Sequence, residues 1–334
     1  MISSPFMARP TTVSVVMLKV LAALVPGVVL SVYFYGVGVL AQLALASATA
    51  LVAEAAMLRA RGQPVAVFLK DGSALVTAWL LALAMPPLGA WWLVVVATAF
   101  AIVIAKQLYG GLGNNPFNPA MVGFAAMIVA FPAQMAQWGS AVAPLSAPEQ
   151  LAYIFGRALP AGIDAIVSAT PLDHLKTQLS LGVPIATTLA EPLHGRAAGQ
   201  WVAAGYLAGA LWLWQQRLIP WQTPVAMLAG VATLALPLWL LDPARYADPL
   251  FHLFAGATML GAGFIVTDPV SGPTTPRGRL IFGFLVGVLV YVIRVFGGFP
   301  DSIAFAVLIM NIAVPFIDHT TRPPVFGAKK GGRA

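Results

Sequence analysis

Apolar residues run along the first third of this chain in long stretches that carry almost no charge. The stretch 15–57 contains only two charged residues and is long enough for two membrane helices. The stretch 72–105 carries no charge and is interrupted at Pro86-Pro87, and a further apolar stretch covers 119–131. A transmembrane helix needs about 20 apolar residues to cross a hydrocarbon layer about 30 Å thick. These stretches therefore predict five membrane helices.

The second half of the chain repeats this pattern after a more polar interval, 132–196. Apolar stretches return in five places: 197–214, 225–241, 250–267, 280–296 and 302–317. Lipid cannot satisfy exposed backbone groups, so such stretches cross a membrane as helices. The sequence predicts an all-α polytopic membrane protein with about ten transmembrane helices.

Short motifs suggest that the two halves are related. Tyr109-Gly110-Gly111 recurs as Phe296-Gly297-Gly298, and a second set of positions recurs at similar spacing: Met127, Ala130 and Pro132 as Met310, Ala313 and Pro315. Five helices per half is an odd number, so the second copy would be inverted across the membrane. The predicted segments are a first repeat at 1–133, an outer loop at 134–196, and a second repeat with a cytoplasmic tail at 197–334. Chance recurrence remains the alternative, because Gly-Gly before an apolar run is common in membrane proteins.

Composition supports the membrane class and narrows the chemistry. The chain is 60% apolar and 9% charged, against roughly 45–50% and about 25% in soluble proteins. It contains no cysteine, which excludes disulfides, thiolate zinc sites and cysteine-ligated iron–sulfur clusters. A redox role would therefore need an organic cofactor or a non-thiolate metal. The net charge of +7 is spread singly between apolar runs, so nucleic acid is not a predicted partner.

The distribution of Lys and Arg predicts the orientation. With both termini in the cytoplasm, 13 of the 18 basic residues lie inside, and the other five lie outside: Arg157, Lys176, Arg196, Arg245 and Arg294. Positive charges concentrate on the cytoplasmic side of membrane proteins. The N-terminus lacks a cleavable signal pattern and is expected to be retained. We therefore expect a multi-pass protein of a bacterial inner membrane, with the 134–196 loop outside.

Two irregular segments could carry chemistry. In the outer loop, Thr170 precedes Pro171, which biases it toward an extended conformation, and an ordinary loop ending in a helix N-cap is the alternative. On the inner side, the segment 267–279 combines Asp268 with hydroxyls, prolines and two arginines, and Asn114 and Asn118 lie in a second loop on that face. A plain connector with positive-inside arginines is the alternative there.

Charged residues near the hydrophobic layer have a simpler interpretation. Each lies near a predicted helix end, where a long side chain can reach the interface, and we expect most of them to do so: Glu54, Lys106, Arg294, Asp301 and Asp318. The four histidines are isolated in sequence, with no Glu-x-x-His pair. The sequence predicts no catalytic residue and no metal site.

Three motifs together resemble one family. They are the run Gly110 to Gly123, the segment Thr267 to Ser271 with Gly278-Arg279, and Arg294 to Asp301 continuing into 304–308. The chain resembles the D subunit of Rnf-type electron-transport complexes, a membrane protein that is similar to the B subunit of the sodium-pumping NADH:quinone oxidoreductase. The resemblance covers nearly the whole chain.

This resemblance implies a cofactor and its attachment site. In the family, FMN is bound by a phosphoester to a threonine of the outer loop, installed by a flavin transferase, and Thr170 is the matching residue. Asp164, Ala169 and Thr170 match the attachment motif, which continues into Pro171, whereas Val167 stands where Ser or Thr is usual and Ser168 where Gly is usual. A second, non-covalent flavin such as riboflavin is implied within the membrane part, with Asn114, Asn118 and Asp268 as candidates for that flavin or for an ion path.

The implied function is electron transfer between ferredoxin and NAD coupled to Na⁺ or H⁺ movement. The implied partners are the other Rnf subunits, including iron–sulfur and flavin subunits, and the lipid bilayer. A channel or solute transporter with an inverted repeat fits the helices equally well, and a membrane scaffold without a cofactor is a third possibility. Covalent flavin would separate the first function from the other two.

Overall fold

The computed structural model describes residues 12–139, 145–157, 167–168, 170–190, 196–299 and 301–323. Most of these residues are helical. The helices of the first half and the following loop are α1 (Val13–Tyr35), α2 (Gly38–Ala60), α3 (Val65–Leu69), α4 (Ser73–Ala84), α5 (Trp91–Phe100), α6 (Pro119–Ala130), α7 (Pro132–Met135), α8 (Ala147–Gly156), α9 (Pro171–Ser180) and α10 (Ile185–Ala190). A π-helical segment, Ala101–Gln107, continues α5.

The second half has the same character. Its helices are α11 (Arg196–Gln215), α12 (Gln222–Leu241), α13 (Pro249–Phe254), α14 (Thr258–Leu260), α15 (Pro276–Phe296) and α16 (Ile303–Thr321), and a π-helical segment, Gly261–Ile265, follows α14. The strands β1 (Trp138–Gly139) and β2 (Val167–Ser168) form one short antiparallel pair that pairs Trp138 with Ser168.

Within the described residues, five helices are long and apolar enough to cross a membrane: α1, α2, α12, α15 and α16. Shorter apolar helices, including α4 and α6, pack among them. The predicted class, an all-helical multi-pass membrane protein, is confirmed. The number of ten membrane helices stays a prediction, because α4 and α6 have only 12 residues each.

One predicted helix is wrong. The apolar stretch 250–267 was expected to form a single helix, but it breaks between α13 and α14. Gly256 has a φ of +59° there, a left-handed conformation that glycine adopts without steric cost. The backbone groups freed by the break are bound by side chains: Arg294 donates to the His252 carbonyl at 2.7 Å, and Asp301 accepts from the Ala257 N–H at 3.3 Å.

Helices α12 and α15 pack at very close range because glycines line their contact. A Cβ atom added at Gly287 would collide with the Met227 carbonyl oxygen, and one added at Gly230 would collide with that of Phe284. Small residues allow helix backbones to approach in this way, and van der Waals packing is a main attraction between helices in lipid.

We expect Gly287→Ala to destabilise the protein by about 1–3 kcal/mol, because the extra methyl group must push two helices apart. The matched control is Gly199→Ala in α11, where a Cβ would meet no atom within 4 Å. Thermal unfolding of the purified protein in detergent measures both. Equal midpoints for the two variants would contradict the close packing of α12 on α15.

The described part of the outer loop is docked against the second half of the chain. Leu172 and Leu175 of α9 pack with Phe251 and Ala255 in a small apolar cluster. The Ile185 N–H donates to the Ala244 carbonyl at 3.1 Å. The start of α9, where Thr170 lies, is therefore held against the break between α13 and α14.

Candidate functional site: two cavities in the helical bundle

Thr170 opens onto a cavity of about 330 Å³. The cavity wall is mainly aromatic and aliphatic, and its described lining includes Tyr35, Phe124, Trp138, Tyr206, Phe254 and Phe299. Polar groups are few and include Gln42, Asp173 and Asp301. An apolar chamber with a few placed polar groups is the usual form of a cofactor or ligand site, which typically measures about 300–1,000 Å³. We call this chamber the Thr170 cavity.

Thr170 is the N-cap of α9, as the ordinary-loop interpretation of the sequence allows. Its φ and ψ are −63° and 157°, so the residue is extended before Pro171, as expected. Its Oγ1 accepts from the Asp173 N–H at 3.1 Å and donates to Asp173 Oδ2 at 2.7 Å. The hydroxyl is therefore half-buried at the cavity wall, next to the N-terminus of a ten-residue helix, where a negative charge is favourable.

Lys176 fixes the next turn of α9 to the membrane part. Its ammonium donates to the Gly297 carbonyl, just after the end of α15. Burial lowers the pKa of Lys176, and the nearby Asp173 carboxylate opposes that shift. A cation and a helix N-terminus thus lie on the same short helix that presents Thr170.

The other residues of the attachment motif are described less completely. Asp164 and Ala169 lie outside the described residues, and for Ser168 the backbone pairing in β2 is described. Pro171 is the first residue of α9, where its fixed φ suits a helix start, and it also lines the Thr170 cavity. The structure therefore brings Thr170 and Pro171 to the cavity.

Asp268 lies in a compact polar network after the second π-helical segment. Its Oδ1 accepts from the Val270 N–H at 3.0 Å, and its Oδ2 accepts from the Ser271 hydroxyl at 2.8 Å. The Asn118 amide reaches the same Oδ2 at a long 3.5 Å. Asn311 of α16 joins the two loops, since it accepts from the Asn118 N–H and donates to the Ser271 carbonyl.

The structure brings Asn118 and Asp268 together and separates Asn114 from them. Asn118 is 3% exposed and caps α6 by accepting from the Met121 N–H. Asn114 is exposed, and its side chain lies near Gly110. Of the two asparagines predicted for this region, only Asn118 contacts the Asp268 loop in the described residues.

Asp268 also borders a second cavity, of about 420 Å³. Its lining includes Trp214, Arg217, Trp221, Thr223 and Arg279, and we call it the Asp268 cavity. The indole rings of Trp214 and Trp221 both belong to this lining. Gly199 lines the Thr170 cavity, and Trp214 lines the Asp268 cavity. Both residues belong to α11, and the rise of the helix places them about 22 Å apart along its axis.

The charged residues expected to reach the interface are mostly buried, and that expectation was wrong for three of them. Glu54 is 2% exposed, Lys106 2% and Arg294 4%. Lys106 donates to Glu54 Oε1 at 2.7 Å and to the Ser73 hydroxyl at 2.7 Å. Burial of a charge is costly unless it is paired, and here the long side chains turn inward to partners instead of outward to water.

Arg294 is held differently. Its terminal nitrogens donate to the His252 carbonyl and to the Thr258 hydroxyl at 2.9 Å, and its Nε is buried without a partner among the described residues. In the described part of the chain, the salt bridge of Lys106 with Glu54 is the only one within 4.0 Å. Asp301, on the wall of the Thr170 cavity, is therefore not in direct contact with Arg294. Asp318 is partly exposed and accepts from the Thr274 N–H at 2.9 Å.

These features define a multi-pass helical membrane protein with polar groups buried at breaks in its helices and cavities at both ends of its bundle. The chain belongs to the NQR2, RnfD, RnfE family, whose model matches residues 1–327. The resemblance inferred from three motifs is confirmed at this level.

Relatives of similar length share one name. The chain is 48% identical to the D subunit of the ion-translocating oxidoreductase complex of Yersinia enterocolitica, 49% identical to that of Yersinia pestis and 48% identical to that of Escherichia fergusonii. Each comparison covers 98% of this chain and 98% of the relative.

Proposed function

We propose that this chain is the electron-transferring membrane subunit of an Rnf-type ion-translocating oxidoreductase complex in a bacterial inner membrane, with FMN bound to Thr170 through a phosphoester. The complex transfers electrons between ferredoxin and NAD and couples that transfer to movement of Na⁺ or H⁺. Its partners are the other subunits, which carry iron–sulfur clusters and flavins, and a flavin transferase attaches the FMN. The observation that carries the proposal is that Thr170 lines a mainly apolar cavity of about 330 Å³ with several aromatic side chains in its wall.

The residues around Thr170 suit a flavin phosphate and ring. FMN, when bound, accepts two electrons and releases them singly, which lets it connect one-electron partners. The N-terminus of α9 faces the phosphate position and favours negative charge. Tyr35, Tyr206 and Phe254 offer an apolar chamber for the ring and exclude water from it. Thr170 acts as a tether, while the surrounding helices fix the position of the group.

The Asp268 cavity is the proposed place of a second, non-covalent flavin such as riboflavin, or of an ion path. Two indole rings and two guanidinium groups in its lining can stack on a flavin and bind its polar edge. Asn118 and Asp268 hold the loop that borders this cavity. Asn114, exposed in the separate loop that leads to Asn118, remains a candidate contact.

Covalent flavin is the direct test of this function. The chain, purified from a strain that also makes the transferase, should fluoresce as a flavoprotein band after denaturing electrophoresis, since only a covalent group survives denaturation. A control preparation from cells without the transferase should give a dark band. A dark band in both preparations would favour the channel or the cofactor-free scaffold.

We also propose that the two halves are inverted repeats of five helices, 1–133 and 197–334, around the loop 134–196. Similar breaks support this arrangement. The first half breaks at Gly72 and the second at Gly256, both with positive φ, and a hydroxyl residue, Ser73 or Thr258, follows each break. A buried cation binds each hydroxyl: Lys106 at Ser73 and Arg294 at Thr258.

Asp268→Asn should lower ferredoxin-linked NAD reduction, or its coupled ion movement, by about tenfold. Asparagine keeps the size of the side chain and the acceptor for Val270, so assembly and the flavin on Thr170 should persist. The loss of negative charge beside Arg217 and Arg279 changes the Asp268 cavity, and a lost charge-assisted hydrogen bond is worth about 1.5–3 kcal/mol. Reconstituted vesicles give both rates, with Asp242→Asn as the control, because Asp242 is exposed at the end of α12 that lies far from this cavity. Wild-type rates in Asp268→Asn would make the loop a plain connector.

Both termini and Arg277 should lie in the cytoplasm, and Thr170 outside. The absence of cysteine allows single cysteines to be placed at will. A membrane-impermeant thiol reagent should label cysteine at Gln178 in intact spheroplasts and should label cysteine at Arg277 only after lysis. The reverse pattern would mean the opposite orientation.

A further inference from the structure

Asp301 is a carboxylate on the wall of the Thr170 cavity without a salt-bridge partner among the described residues. It lies between α15 and α16, and its Oδ2 accepts from the Ala257 N–H at 3.3 Å. Its Oδ1 is buried and has no hydrogen-bond partner in the described part of the chain. An ionised carboxylate in this position has lost water without full replacement, which disfavours the charged form.

Arg294 supplies the opposing effect. Its charge acts on Asp301, and a guanidinium stays protonated at physiological pH. Its terminal nitrogens are committed to the His252 carbonyl and the Thr258 hydroxyl, so they cannot neutralise Asp301 by direct contact. The positive charge of Arg294 favours the ionised form of the Asp301 carboxyl group.

Three other titratable groups lie near this pair: His252 and Tyr291 are buried, and Asp173 is half-buried. Asp173 of α9 lies on the same cavity wall and favours the protonated form of Asp301. His252 and Tyr291 lie beside Arg294 with their rings in contact, and within the described structure His252 Nδ1 and the Tyr291 hydroxyl are buried without partners. Burial and Asp173 thus favour neutral Asp301, while Arg294 and the N–H groups of Ile303 and Ala257 favour ionised Asp301. Burial is the largest of these effects, so the pKa of Asp301 is raised above its usual value.

We propose that Asp301 is a proton-exchanging carboxyl of the Thr170 cavity, with Arg294 as its fixed counter-charge. The redox part rests on the proposed function. If one electron from an iron–sulfur donor reduced the FMN held in this cavity, Asp301 Oδ1 would take up one proton from water, and the net charge in the cavity would not change. When the electron leaves, Oδ1 releases that proton.

Arg294 is a positioning residue in this proposal. It binds the end of α13 and the start of α14, and the Ala257 N–H beside that break is the group that holds Asp301. Its charge also sets the pH at which Asp301 changes form. An arginine with a purely structural role would bind the break between α13 and α14 without changing the pH at which Asp301 changes form.

Carbodiimide labelling tests the proton exchange without any cofactor. Dicyclohexylcarbodiimide reacts with protonated carboxyl groups in apolar surroundings, and peptide mass spectrometry locates the adduct. In membranes that contain the whole complex, Asp301 should be labelled, and labelling should fall as pH rises. Glu54, whose Oε1 accepts from Lys106 Nζ at 2.7 Å, should stay unlabelled, and Asp301→Asn should remove the adduct.

The arginine variants separate charge from structure. Arg294→Gln should raise the pH of half-labelling by about one unit, since loss of a nearby positive charge favours the protonated carboxyl. Arg294→Lys keeps the charge and should keep the wild-type profile. The proposal is wrong if Asp301 stays unlabelled at every pH at which the complex is assembled, or if Arg294→Gln and Arg294→Lys give the same profile.

A redox titration tests the coupling. The midpoint potential of the covalent flavin should fall more steeply with rising pH in the wild type than in Asp301→Asn, because the flavin ring itself binds protons on reduction in both proteins. Equal pH dependence in both would overturn the coupling. If the chain carries no covalent flavin, the proposed function fails, while the labelling experiment still decides whether Asp301 exchanges a proton.

Discussion

Replacing Thr170 by alanine should remove all covalent flavin from the chain while the protein still inserts and assembles. The phosphoester needs the hydroxyl, and the described structure offers no other hydroxyl at the start of α9. The variant also loses an N-cap, because Thr170 Oγ1 accepts from the Asp173 N–H, and this costs about 1 kcal/mol. Intact-mass spectrometry should give the mass of the unmodified chain and no flavin fluorescence.

Thr170→Ser is the matched control. Serine keeps both the hydroxyl and the N-cap, so it should retain at least part of the flavin and most of the stability of α9. Flavin retained by Thr170→Ala, or an unmodified wild-type chain made together with its transferase, would contradict the attachment at Thr170.

Asp173→Asn tests how the phosphate is accommodated. In the structure, the Thr170 hydroxyl donates to Asp173 Oδ2 at 2.7 Å, and an ester oxygen has no proton to donate. A phosphate at this position would face the Asp173 carboxylate, against the favourable N-terminus of α9. Removing the Asp173 charge should therefore leave attachment intact or increase its yield.

The class of membrane protein could be predicted from sequence, because helices that cross lipid must be apolar and therefore appear as long uncharged stretches. The break at Pro86-Pro87 was also visible, since proline ends helices. The break at Gly256 was not visible, because an apolar stretch with a few glycines is compatible with one continuous helix. What stabilises this break is non-local: Arg294 and Asp301 come from segments about 40 residues away and bind the freed backbone groups.

The inward position of Arg294 could have been predicted from the helical periodicity of α15, although its binding partners could not. Arg294 lies on the face of α15 that buries Val286, Gly287, Val290 and Tyr291, at spacings of three, four, seven and eight residues. Such spacings place residues on one helix face. A charged side chain near a helix end suggested a position at the membrane interface. The helical periodicity of α15 instead indicated the interior of the protein, where Arg294 lies.

A candidate site residue could be predicted from sequence where its conformation depends on neighbouring residues in the chain. Thr170 before Pro171 gives an extended N-cap from sequence alone. The meeting of Asn118 with Asp268 joins residues 150 positions apart and depends on Asn311 of α16. Chain-local patterns hold no information on such contacts, which arise from the packing of α6 against α16.

Removing one member of the buried Glu54–Lys106 pair should be among the most destabilising single changes in the described structure. Lys106→Met leaves the Glu54 carboxylate buried with one remaining donor among the described residues, the Gln107 amide at 2.8 Å, and its Oε2 already lacks a partner there. Breaking a buried ion pair in this way costs about 3–5 kcal/mol. Thermal unfolding of the purified complex should show a clearly lower midpoint for this variant.

The double variant decides whether charge is the cause. In Glu54→Gln with Lys106→Met, no isolated charge remains, so most of the lost stability should return, because a neutral replacement of a buried pair is often close to the wild type in free energy. A coupling free energy of about 2 kcal/mol or more is expected between the two positions. Losses that simply add would mean that water reaches Glu54 and Lys106, and that the two side chains act independently where α2 meets the end of α5.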